Sequence, residues 1–333
     1  MEYPKFKVCC RCFTFNQAKY ITDTMNGFTM QQTSFPFVCC IVDDASTDGE
    51  QDVIRKYVED NFDFSEGSVA YHKETDYAHI TYAQHKTNKN CYFAVLYLKE
   101  NHYSQRKPKM DYLSEWRDMC EYEAICEGDD YWIDPLKLQK QVDYLDAHLD
   151  YSMCFTGAKV LFDGGFESQD SSQMRALYKN LENREYQGEE LLQNWLVPTA
   201  SILRRVSVGI RQDTRFMFGD IVIVLSCVAA GKIRCLAEEM VVYRRNANGV
   251  SAKSQSLPRS IKHYQAIADV FGERYRKICN KLIYSSIASC ILTGDKQERT
   301  DALEILRCRP SLIVNVMGSA ISICFKVLLN MFR

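Results

Sequence analysis

The sequence lacks an excess of charge of either sign. Lysine and arginine number 41 against 43 aspartates and glutamates, which gives a formal net charge of −2. A chain without a strong positive field does not attract nucleic-acid backbones non-specifically. Nucleic acid is therefore a poor candidate partner, and a chain with 46% hydrophobic and 25% charged residues is expected to form a globular core.

The glycine-rich motifs that hold nucleotide phosphates are also missing. No GxGxxG follows the first predicted strand, and no GxxxxGK[S/T] occurs anywhere in the chain. Both motifs bind phosphate through backbone amides at the start of a helix. If the ligand is a nucleotide, a metal ion must then neutralise its phosphates.

Cysteine is plentiful, but its spacing does not indicate a metal cluster. Cys9 and Cys12 form a CxxC on a predicted strand, where their side chains point to opposite faces, and no second CxxC or histidine pair follows. The total of fifteen is odd, and several cysteines stand in apolar runs typical of buried free thiols. Free thiols, and an N-terminus that leads directly into a strand pattern, predict a cytoplasmic protein.

Strand and helix patterns alternate over the first 130 residues, which predicts a mostly parallel sheet covered by helices. Helical patterns occupy residues 17–30, the segment from Asp134 onward, the segment ending at Ala230 and the chain after residue 258. Strands are predicted over residues 6–13, 35–42, 78–85, 122–126, 153–162, 200–203 and 233–243.

Three local features connect these elements. Residues 86–117 are rich in Lys, Asn, Tyr and His with weak periodicity, which predicts an elaborated surface loop. Residues 163–183 contain two glycines and many polar residues, which predicts a mobile loop. Thr47 and Glu50 have the spacing of a capping box, so a helix is expected to start between them.

Two acidic pairs follow predicted strands. Asp43 and Asp44 come after the strand at 35–42, and Asp129 and Asp130 come after the strand at 122–126. Ligands of open parallel sheets bind beyond the carboxyl ends of the strands. Carboxylates are hard oxygen donors that suit Mg²⁺ or Mn²⁺, so Asp129 and Asp130 are candidate metal ligands, although a solvated turn is the alternative for either pair.

Three ordered stretches resemble the family 2 glycosyltransferases, in particular bacterial members from surface-polysaccharide gene clusters: residues 12–16 (CFTFN), 42–49 (VDDASTDG) and 126–132 (CEGDDYW). The likeness extends through 133–139, 218–220 and 243–245, and covers roughly residues 5–250. It implies the α/β GT-A fold of nucleotide-diphospho-sugar transferases, a mostly parallel sheet flanked by helices, followed here by a C-terminal helical tail.

The resemblance also implies a division of the chain. Residues 1–250 are expected to form the glycosyltransferase domain, with a nucleotide-sugar half at 1–132 and an acceptor half at 133–250. Residues 251–333 form a helical region outside the likeness.

By position in the family motifs, Thr14 and Asp44 are expected to contact the base and ribose of a nucleotide-diphosphate donor, a UDP-sugar in particular. Asp43 is expected to support that loop, and Asp129 to lie near the ribose or donor sugar. The resemblance assigns Asp130 to Mn²⁺ or Mg²⁺, which would neutralise the diphosphate leaving group.

Asp220 matches the position of the catalytic base, which removes the proton of the acceptor hydroxyl in one inverting displacement. Its alternative role is the N-cap of a helix, and the two roles are compatible. The acceptor is expected to be a saccharide or a lipid-linked saccharide. Trp132 is interpreted either as a platform under the sugar or acceptor or as a core residue.

Two departures from the family pattern leave other functions open. Many relatives carry a histidine where Asn246 stands, so a third protein ligand for the metal is not indicated. Residues 86–117 lack the NxGxxxxARN run and keep only residues 88–90 (NKN). The alternatives are a noncatalytic, membrane-associated binding protein that retains the fold, and a metal-dependent nucleotidyltransferase, although the basic glycine-rich loop that the latter needs is absent.

The tail at 311–332 has the pattern of an amphipathic helix with a wide apolar face. Arg307, Arg309 and Arg333 flank it, which favours peripheral contact with the anionic inner face of the cell membrane. Crossing of the membrane and burial on protein are the alternatives. The narrow polar stripe of this helix comprises Ser311, Asn315, Ser319, Ser322, Lys326 and Asn330.

Overall fold

The computed structural model describes residues 3–163, 170–246 and 256–331. The chain forms two compact units that are interleaved in sequence. The first unit comprises Met1–Tyr186, Leu196–Gly209 and Ala230–Gly249, and the second comprises Gln187–Trp195, Ile210–Ala229 and Val250–Arg333. The division into a nucleotide-sugar half and an acceptor half at residue 132 stays a prediction.

A ten-stranded sheet with the order β3-β4-β5-β2-β1-β6-β9-β8-β10-β7 organises the first unit. Its strands are β1 (Val8–Thr14), β2 (Phe37–Asp43), β3 (Tyr71–Glu74), β4 (Ala78–Gln84), β5 (Cys91–Leu98), β6 (Tyr122–Ile125), β7 (Tyr131–Trp132), β8 (Tyr151–Phe162), β9 (Leu203–Arg205) and β10 (Lys232–Arg245). The helices of this unit are α1 (Ile21–Thr29), α2 (Glu50–Asn61), α3 (Ser114–Arg117), α4 (Lys137–Ala147) and α5 (Asp170–Lys179).

The sheet is parallel where the first predicted strands meet. β1 pairs in parallel with both β2 and β6, and β5 continues the parallel run beside β2. β3, β4, β7 and β9 are antiparallel to their neighbours, so the sheet is mixed. Because every residue of β2 is buried, both faces of this strand are covered, which explains its continuous apolar run.

The prediction of a surface loop at 86–117 is wrong for residues 91–98. Residues 91–98 form β5, all of whose residues are buried between β2 and β4. Polar residues before the strand misled the interpretation, because their side chains bond to neighbouring backbone instead of facing water. Asn88 Nδ2 donates to Thr29 O at 2.9 Å and to Gln31 O at 2.7 Å, and Asn90 Nδ2 donates to Thr33 O at 2.6 Å.

Two other local predictions are corrected. The predicted mobile loop at 163–183 contains helix α5, while residues 164–169 lie outside the described residues. The capping box does not form, because α2 begins at Glu50 itself and its N-cap is Gly49, with a positive φ of 90°. The side chain of Glu50 turns instead toward the loop after β1.

The second unit is helical, and its described helices are α6 (Gly188–Asn194), α7 (Gly219–Ala230), α8 (Leu257–Phe271), α9 (Arg276–Thr293), α10 (Lys296–Cys308) and α11 (Ile313–Met331). α7 is the apolar helix predicted before residue 230, and half of its residues are buried. α10 starts with a capping box in which Asp295 and Glu298 exchange side-chain and backbone hydrogen bonds. The predicted C-terminal helical tail is confirmed, although the side chains from Lys326 onward, and residues 332 and 333 entirely, lie outside the description.

Candidate active site

The carboxyl ends of β1, β2 and β6 lie side by side, as expected from the strand order. Thr14 pairs with Asp43 in the β1–β2 register, and Asp44 N donates to Thr14 O at 3.0 Å. On the other side of β1, Gly128 N donates to Phe13 O at 3.2 Å. The fold therefore brings both acidic loops next to the end of one central strand.

Gly128 is required by the contact between these loops. A Cβ atom at this position would lie 2.0 Å from Thr14 Oγ1, well inside van der Waals contact. Its carbonyl also accepts a hydrogen bond from Thr24 Oγ1 on α1 at 3.0 Å, and the same hydroxyl lies 2.6 Å from Asp130 O. The acidic loop after β6 is thus held from both sides.

Glu50 is a central residue of the site that sequence reasoning missed. Its buried carboxylate accepts hydrogen bonds from Thr14 Oγ1, from Gln17 N at 2.8 Å and from Ser46 Oγ at 2.8 Å. Burial raises the pKa of this carboxyl, and the three donors act in the opposite direction. The Thr14 hydroxyl is therefore committed to Glu50, and the capping-box spacing was the only sequence signal that touched this residue.

Asp43 bonds within its own loop and to the helix that follows it. Its Oδ1 accepts from Ser46 N at 3.1 Å and from Gln51 Nε2 at 2.6 Å. Its Oδ2 is buried without a hydrogen-bond partner among the described residues. One acceptor of this aspartate is thus left over.

Asp44 organises the segment that follows β5. Its carboxylate is fully buried and accepts from His102 N at 2.7 Å, from Tyr103 N at 3.0 Å and from Lys109 Nζ at 2.8 Å. The Lys109 ammonium also lies 5.0 Å from the centre of the Phe13 ring. Both oxygens of Asp44 are therefore engaged within the protein.

Asp129 and Asp130 are held differently. Asp130 is 3% exposed, and its Oδ1 accepts from Arg244 N at 2.8 Å, while Asp129 Oδ2 accepts from Asn246 Nδ2 at 3.1 Å. Burial, followed by the neighbouring charge of Asp129, holds the pKa of Asp130 well above its ordinary value. Burial likewise raises the pKa of Asp129, against the hydrogen bond from Asn246.

Arg244 connects this acidic pair to α1. Its guanidinium donates to Asp23 Oδ2 at 2.7 Å and to Asp129 O at 3.1 Å, in addition to the backbone contact with Asp130. The group also lies 4.5 Å from the centre of the Tyr20 ring, a cation–π distance. The end of β10 therefore positions both aspartates, and the motif at 243–245 was the sequence signal for it.

The residues present suit a divalent cation whose coordination is completed by phosphate oxygens of a substrate. No group of three or more His, Cys, Asp or Glu side chains is placed to hold a metal within 3–163, 170–246 and 256–331. Mg²⁺ sites of nucleotide enzymes, however, often use one or two carboxylates plus phosphate oxygens and water. Asp130 is buried and Asp129 half-buried, and burial raises the pKa of both carboxyls. A bound cation would offset this cost of their ionised forms, so the pair is a suitable donor set.

Trp132 lies in the core, which is the second of its two interpretations. Its side chain is 1% exposed, and its indole N–H donates to Ala200 O at 2.9 Å. The ring makes an edge contact with Phe28 at 4.8 Å and lies 4.1 Å from the buried ammonium of Lys137. No open face is left for a sugar, so the platform role has no support in this structure.

Asp220 belongs to the second unit, in the first turn of α7. Its Oδ1 accepts from Ile221 N at 2.8 Å, but α7 already begins at Gly219, so Asp220 lies within the first turn and is not the N-cap that the sequence suggested as its alternative role. The side chain is half-buried, and burial raises the pKa of its carboxyl. Trp195, which makes an edge contact with Phe218 at 5.4 Å, contributes an aromatic ring next to this turn that the sequence did not single out.

His263 completes the aromatic surroundings of this segment. Its ring lies 4.8 Å from Phe218, and its Nδ1 accepts from Met217 N at 3.1 Å. Its Nε2 is buried without a partner among the described residues. Burial lowers the pKa of this imidazole to about 4, so the ring is neutral at physiological pH.

Comparison with known proteins bears on the fold. No family model matches the chain. Two uncharacterized proteins, Rv1520 of Mycobacterium tuberculosis and Mb1547 of Mycobacterium bovis, are 31% identical over 238 residues, which is 71% of this chain and 58% of their own length. The chain thus spans less than two thirds of the curated relatives it matches.

Solved structures with a similar fold were determined with nucleotides bound. Residues 1–349 of S. aureus TarS in complex with UDP match with a TM-score of 0.57 and 16% identity, over 88% of this chain and 77% of that one. The mannosyltransferase PcManGT from Pyrobaculum calidifontis, in complex with GDP-Man and Mn²⁺, matches with a TM-score of 0.50 and 14% identity, over 97% and 81%. At these identities the likeness establishes the fold, and the GT-A fold class expected from the sequence is confirmed.

Proposed function

We propose that this protein is a metal-dependent, inverting glycosyltransferase that moves a sugar from a nucleotide-diphosphate donor, a UDP-sugar, onto a hydroxyl of a saccharide or lipid-linked saccharide. The observation that carries the proposal is the pair formed by the half-buried Asp129 and the buried Asp130 at the carboxyl end of β6. Two adjacent carboxylates with raised pKa values are poor structural elements but good ligands for a cation.

The fold supports the donor class. S. aureus TarS has been solved with UDP and with UDP-GlcNAc, and PcManGT with GDP-Man and Mn²⁺. In this proposal Thr14 and Asp44 line the base and ribose, and their internal contacts hold the two loops in place. Asp43 keeps one buried oxygen that is able to accept a hydrogen bond from the nucleotide.

A bound Mn²⁺ or Mg²⁺ would supply positive charge for the diphosphate leaving group. Asp130 would hold the ion, with Asp129 beside it, and Arg244 would keep both carboxylates in position through its contacts with α1. Asn246 would stabilise the ionised form of Asp129 through its amide. In this arrangement Asn246 stands where the related motifs have a histidine, and it orients the proposed metal ligand Asp129.

Asp220 is proposed as the base that removes the proton of the acceptor hydroxyl. Its half-buried carboxyl has a raised pKa, which brings its affinity for a proton closer to that needed at neutral pH. A single displacement by the deprotonated hydroxyl inverts the anomeric carbon. We place the reaction in the cytoplasm, at the inner face of the membrane, in bacterial surface-polysaccharide assembly.

A second candidate function is noncatalytic binding of nucleotide sugars. The observation that favours it is Asn246, which occupies one oxygen of Asp129 at the position where many relatives carry a histidine. Such a protein would bind the donor but would neither transfer nor hydrolyse it.

The test combines binding with turnover. The thermal unfolding of the full chain is measured with each of a panel of UDP- and GDP-sugars in the presence of Mn²⁺. The protein is then incubated with the nucleotide sugar that stabilises it most, radiolabelled in the sugar, and release of the label is measured. A ligand at a hundred times its Kd stabilises a protein by about 2.7 kcal/mol, which a thermal shift detects. Stabilisation with sugar release supports the transferase, stabilisation without release supports the binding protein, and no stabilisation by any nucleotide sugar overturns both.

A further inference from the structure

Helix α11 exposes a continuous row of apolar side chains. We call this row the apolar stripe. Positions spaced by three or four residues lie on one face of a helix, so these side chains form one surface. The stripe comprises Ile313, Val314, Met317, Ile321 and Phe325, which are 40%, 78%, 60%, 68% and 62% exposed, respectively.

The other faces of α11 are distinct from the stripe. Val316 is 3% exposed and marks the face that packs on the helical unit, where α11 contacts α9. Asn315 and Ser322 are exposed on the polar face. The helix is therefore attached by one side and leaves a second, apolar side uncovered by the described residues.

An uncovered apolar surface of this kind marks a binding surface for protein or membrane. The charge of the segment distinguishes between them. From residue 305 to 333 the sequence contains Arg307, Arg309, Lys326 and Arg333 and neither Asp nor Glu. Arg307 is exposed in the last turn of α10, and Arg309 is exposed at the residue that follows this helix.

This charge pattern is complementary to anionic lipid. Basic residues next to a membrane-bound helix gain attraction from anionic headgroups, while the apolar side chains enter the acyl region. A second copy of this chain is a poorer occupant, because stripe-to-stripe docking would bring two carboxylate-free, basic segments together. Within the described residues no single helix is long and apolar enough to cross a membrane, and α10 with the first part of α11 would qualify only as a pair bent by 107°.

We propose that α11 binds the surface of an anionic bilayer, with the apolar stripe inserted below the headgroups and Arg307 and Arg309 at the lipid phosphates. The inference does not depend on glycosyl transfer. If the proposed function also holds, the helix keeps the enzyme at the surface where lipid-linked acceptors are confined.

The first experiment is cosedimentation of the full chain with vesicles of phosphatidylcholine alone and with vesicles that also contain phosphatidylglycerol. The variant Val314→Ser/Met317→Gln/Ile321→Ser removes the stripe, and Ser311→Ala/Asn315→Ala/Ser322→Ala is the matched control on the polar face. We expect the wild type and the control to pellet with anionic vesicles, and the stripe variant to bind about tenfold more weakly or less. Arg307→Gln/Arg309→Gln should weaken binding at low salt and reduce its salt dependence.

A second measurement reports the position of the helix directly. Cys308 and Cys324 are exposed, whereas the other thiols are buried or half-buried. In a Cys308→Ser background, a polarity-sensitive fluorophore on Cys324 should shift to the blue when anionic vesicles are added. The same label should be unaffected by phosphatidylcholine vesicles.

Three outcomes overturn the proposal. The first is equal pelleting of the stripe variant and the wild type, and the second is a label on Cys324 that does not respond to anionic vesicles. The third is a wild-type chain that ignores vesicles but is dimeric in light scattering, with a monomeric stripe variant, which assigns the stripe to a second copy. Thermal unfolding of each variant with and without UDP and Mn²⁺ separates loss of folding or of donor binding from loss of membrane binding.

Discussion

The two acidic pairs have the same sequence signature and opposite surroundings. Each follows a buried parallel strand, and each lies beside the end of β1. Asp44 accepts hydrogen bonds from two backbone amides and from the Lys109 ammonium, and Asp43 accepts them from Ser46 N and from the side chain of Gln51. In the second pair Asp130 is buried and Asp129 half-buried, both pKa values are raised, and the donors include Asn246 and the amide of Arg244.

The difference shows that Asp44 is held by internal donors at both oxygens, whereas Asp130 has one described donor. Carboxylates that are already neutralised by internal donors hold loops together, and their removal costs stability. A carboxyl whose pKa is raised by burial is destabilising in its ionised form, and this is the reason for which we propose a cation at the second pair. The two pairs can be separated by experiment.

Asp130→Asn should have the largest effect on activity. Transfer should fall to background because the proposed metal loses its main ligand, while the free energy of unfolding without metal should stay the same or rise, since a repelling buried charge is removed. The measurements are turnover with Mn²⁺ before and after chelation, and urea unfolding of the metal-free protein. Full activity in EDTA, or near-native turnover of the variant, would contradict the assignment.

Asp220→Asn tests a further carboxylate with a raised pKa. Loss of a general base should reduce kcat by about two to four orders of magnitude, with binding of nucleotide diphosphate preserved in calorimetry. Because the base must be ionised, wild-type transfer should rise with pH through the raised pKa of Asp220 and then level off. A variant that transfers sugar at the native rate would leave Asp220 with its hydrogen bond to Ile221 N as its only role.

Asp44→Asn should differ from Asp130→Asn in its effect on the free energy of unfolding. Breaking a buried charge pair leaves the ammonium of Lys109 without its partner, which typically costs about 3–5 kcal/mol of unfolding free energy. Asp118→Asn is the matched control, because its side chain is 57% exposed and pairs with the adjacent Arg117; it should stay within about 0.5 kcal/mol. If Asp44→Asn and Asp118→Asn have the same free energy of unfolding in urea, the proposed distinction between the two acidic pairs is wrong.

His263 is a buried group whose charged form is disfavoured by burial, so its effect on stability should depend on pH. Its pKa is lowered to about 4, whereas an unfolded histidine titrates near its ordinary value of 6.5. Between these values the unfolded chain binds the extra proton, so the free energy of unfolding rises with pH and is lost as the pH falls. Between pH 4 and pH 6.5 the contribution of His263 to the free energy of unfolding should change by on the order of 3 kcal/mol.

His263→Asn isolates this contribution, because the asparagine amide oxygen is still able to accept from Met217 N while the side chain no longer titrates. The measurement is the free energy of unfolding of both proteins at several pH values from 4 to 7. The difference between wild type and variant should change in favour of wild type as the pH rises. A difference that is constant over this range would show that the imidazole titrates normally.

Residues near each other in sequence were interpreted well. The positions of both acidic pairs at strand ends were predicted, because a buried parallel strand leaves a continuous apolar run that stops at its carboxyl end. The same approach failed for β5, whose tyrosines and flanking asparagines resemble a surface segment until their partners are known. Periodicity reports what a segment is able to bury and does not report what covers it.

The contacts that position the candidate ligands were beyond local reasoning. Arg244 and Asp23 are 221 positions apart, and Thr14 and Glu50 are 36 apart, so only the assembled sheet brings them together. Trp132 had two equal interpretations in the sequence, and its hydrogen bond to Ala200 O decided between them. A side chain's exposure depends on its neighbours in space.

The tail shows the same division. The sequence by itself predicted an amphipathic helix at 311–332 with cations at its ends, because helical periodicity and charge are properties of one segment, and α11 is found at Ile313–Met331. Only the tertiary structure decided which apolar residues are used for packing and which remain exposed. Val316 packs on the unit, whereas Val314, Met317 and Ile321 face outward. The physical reason is that α9 covers only one side of α11, and no periodicity within a helix specifies which side its neighbour will bury.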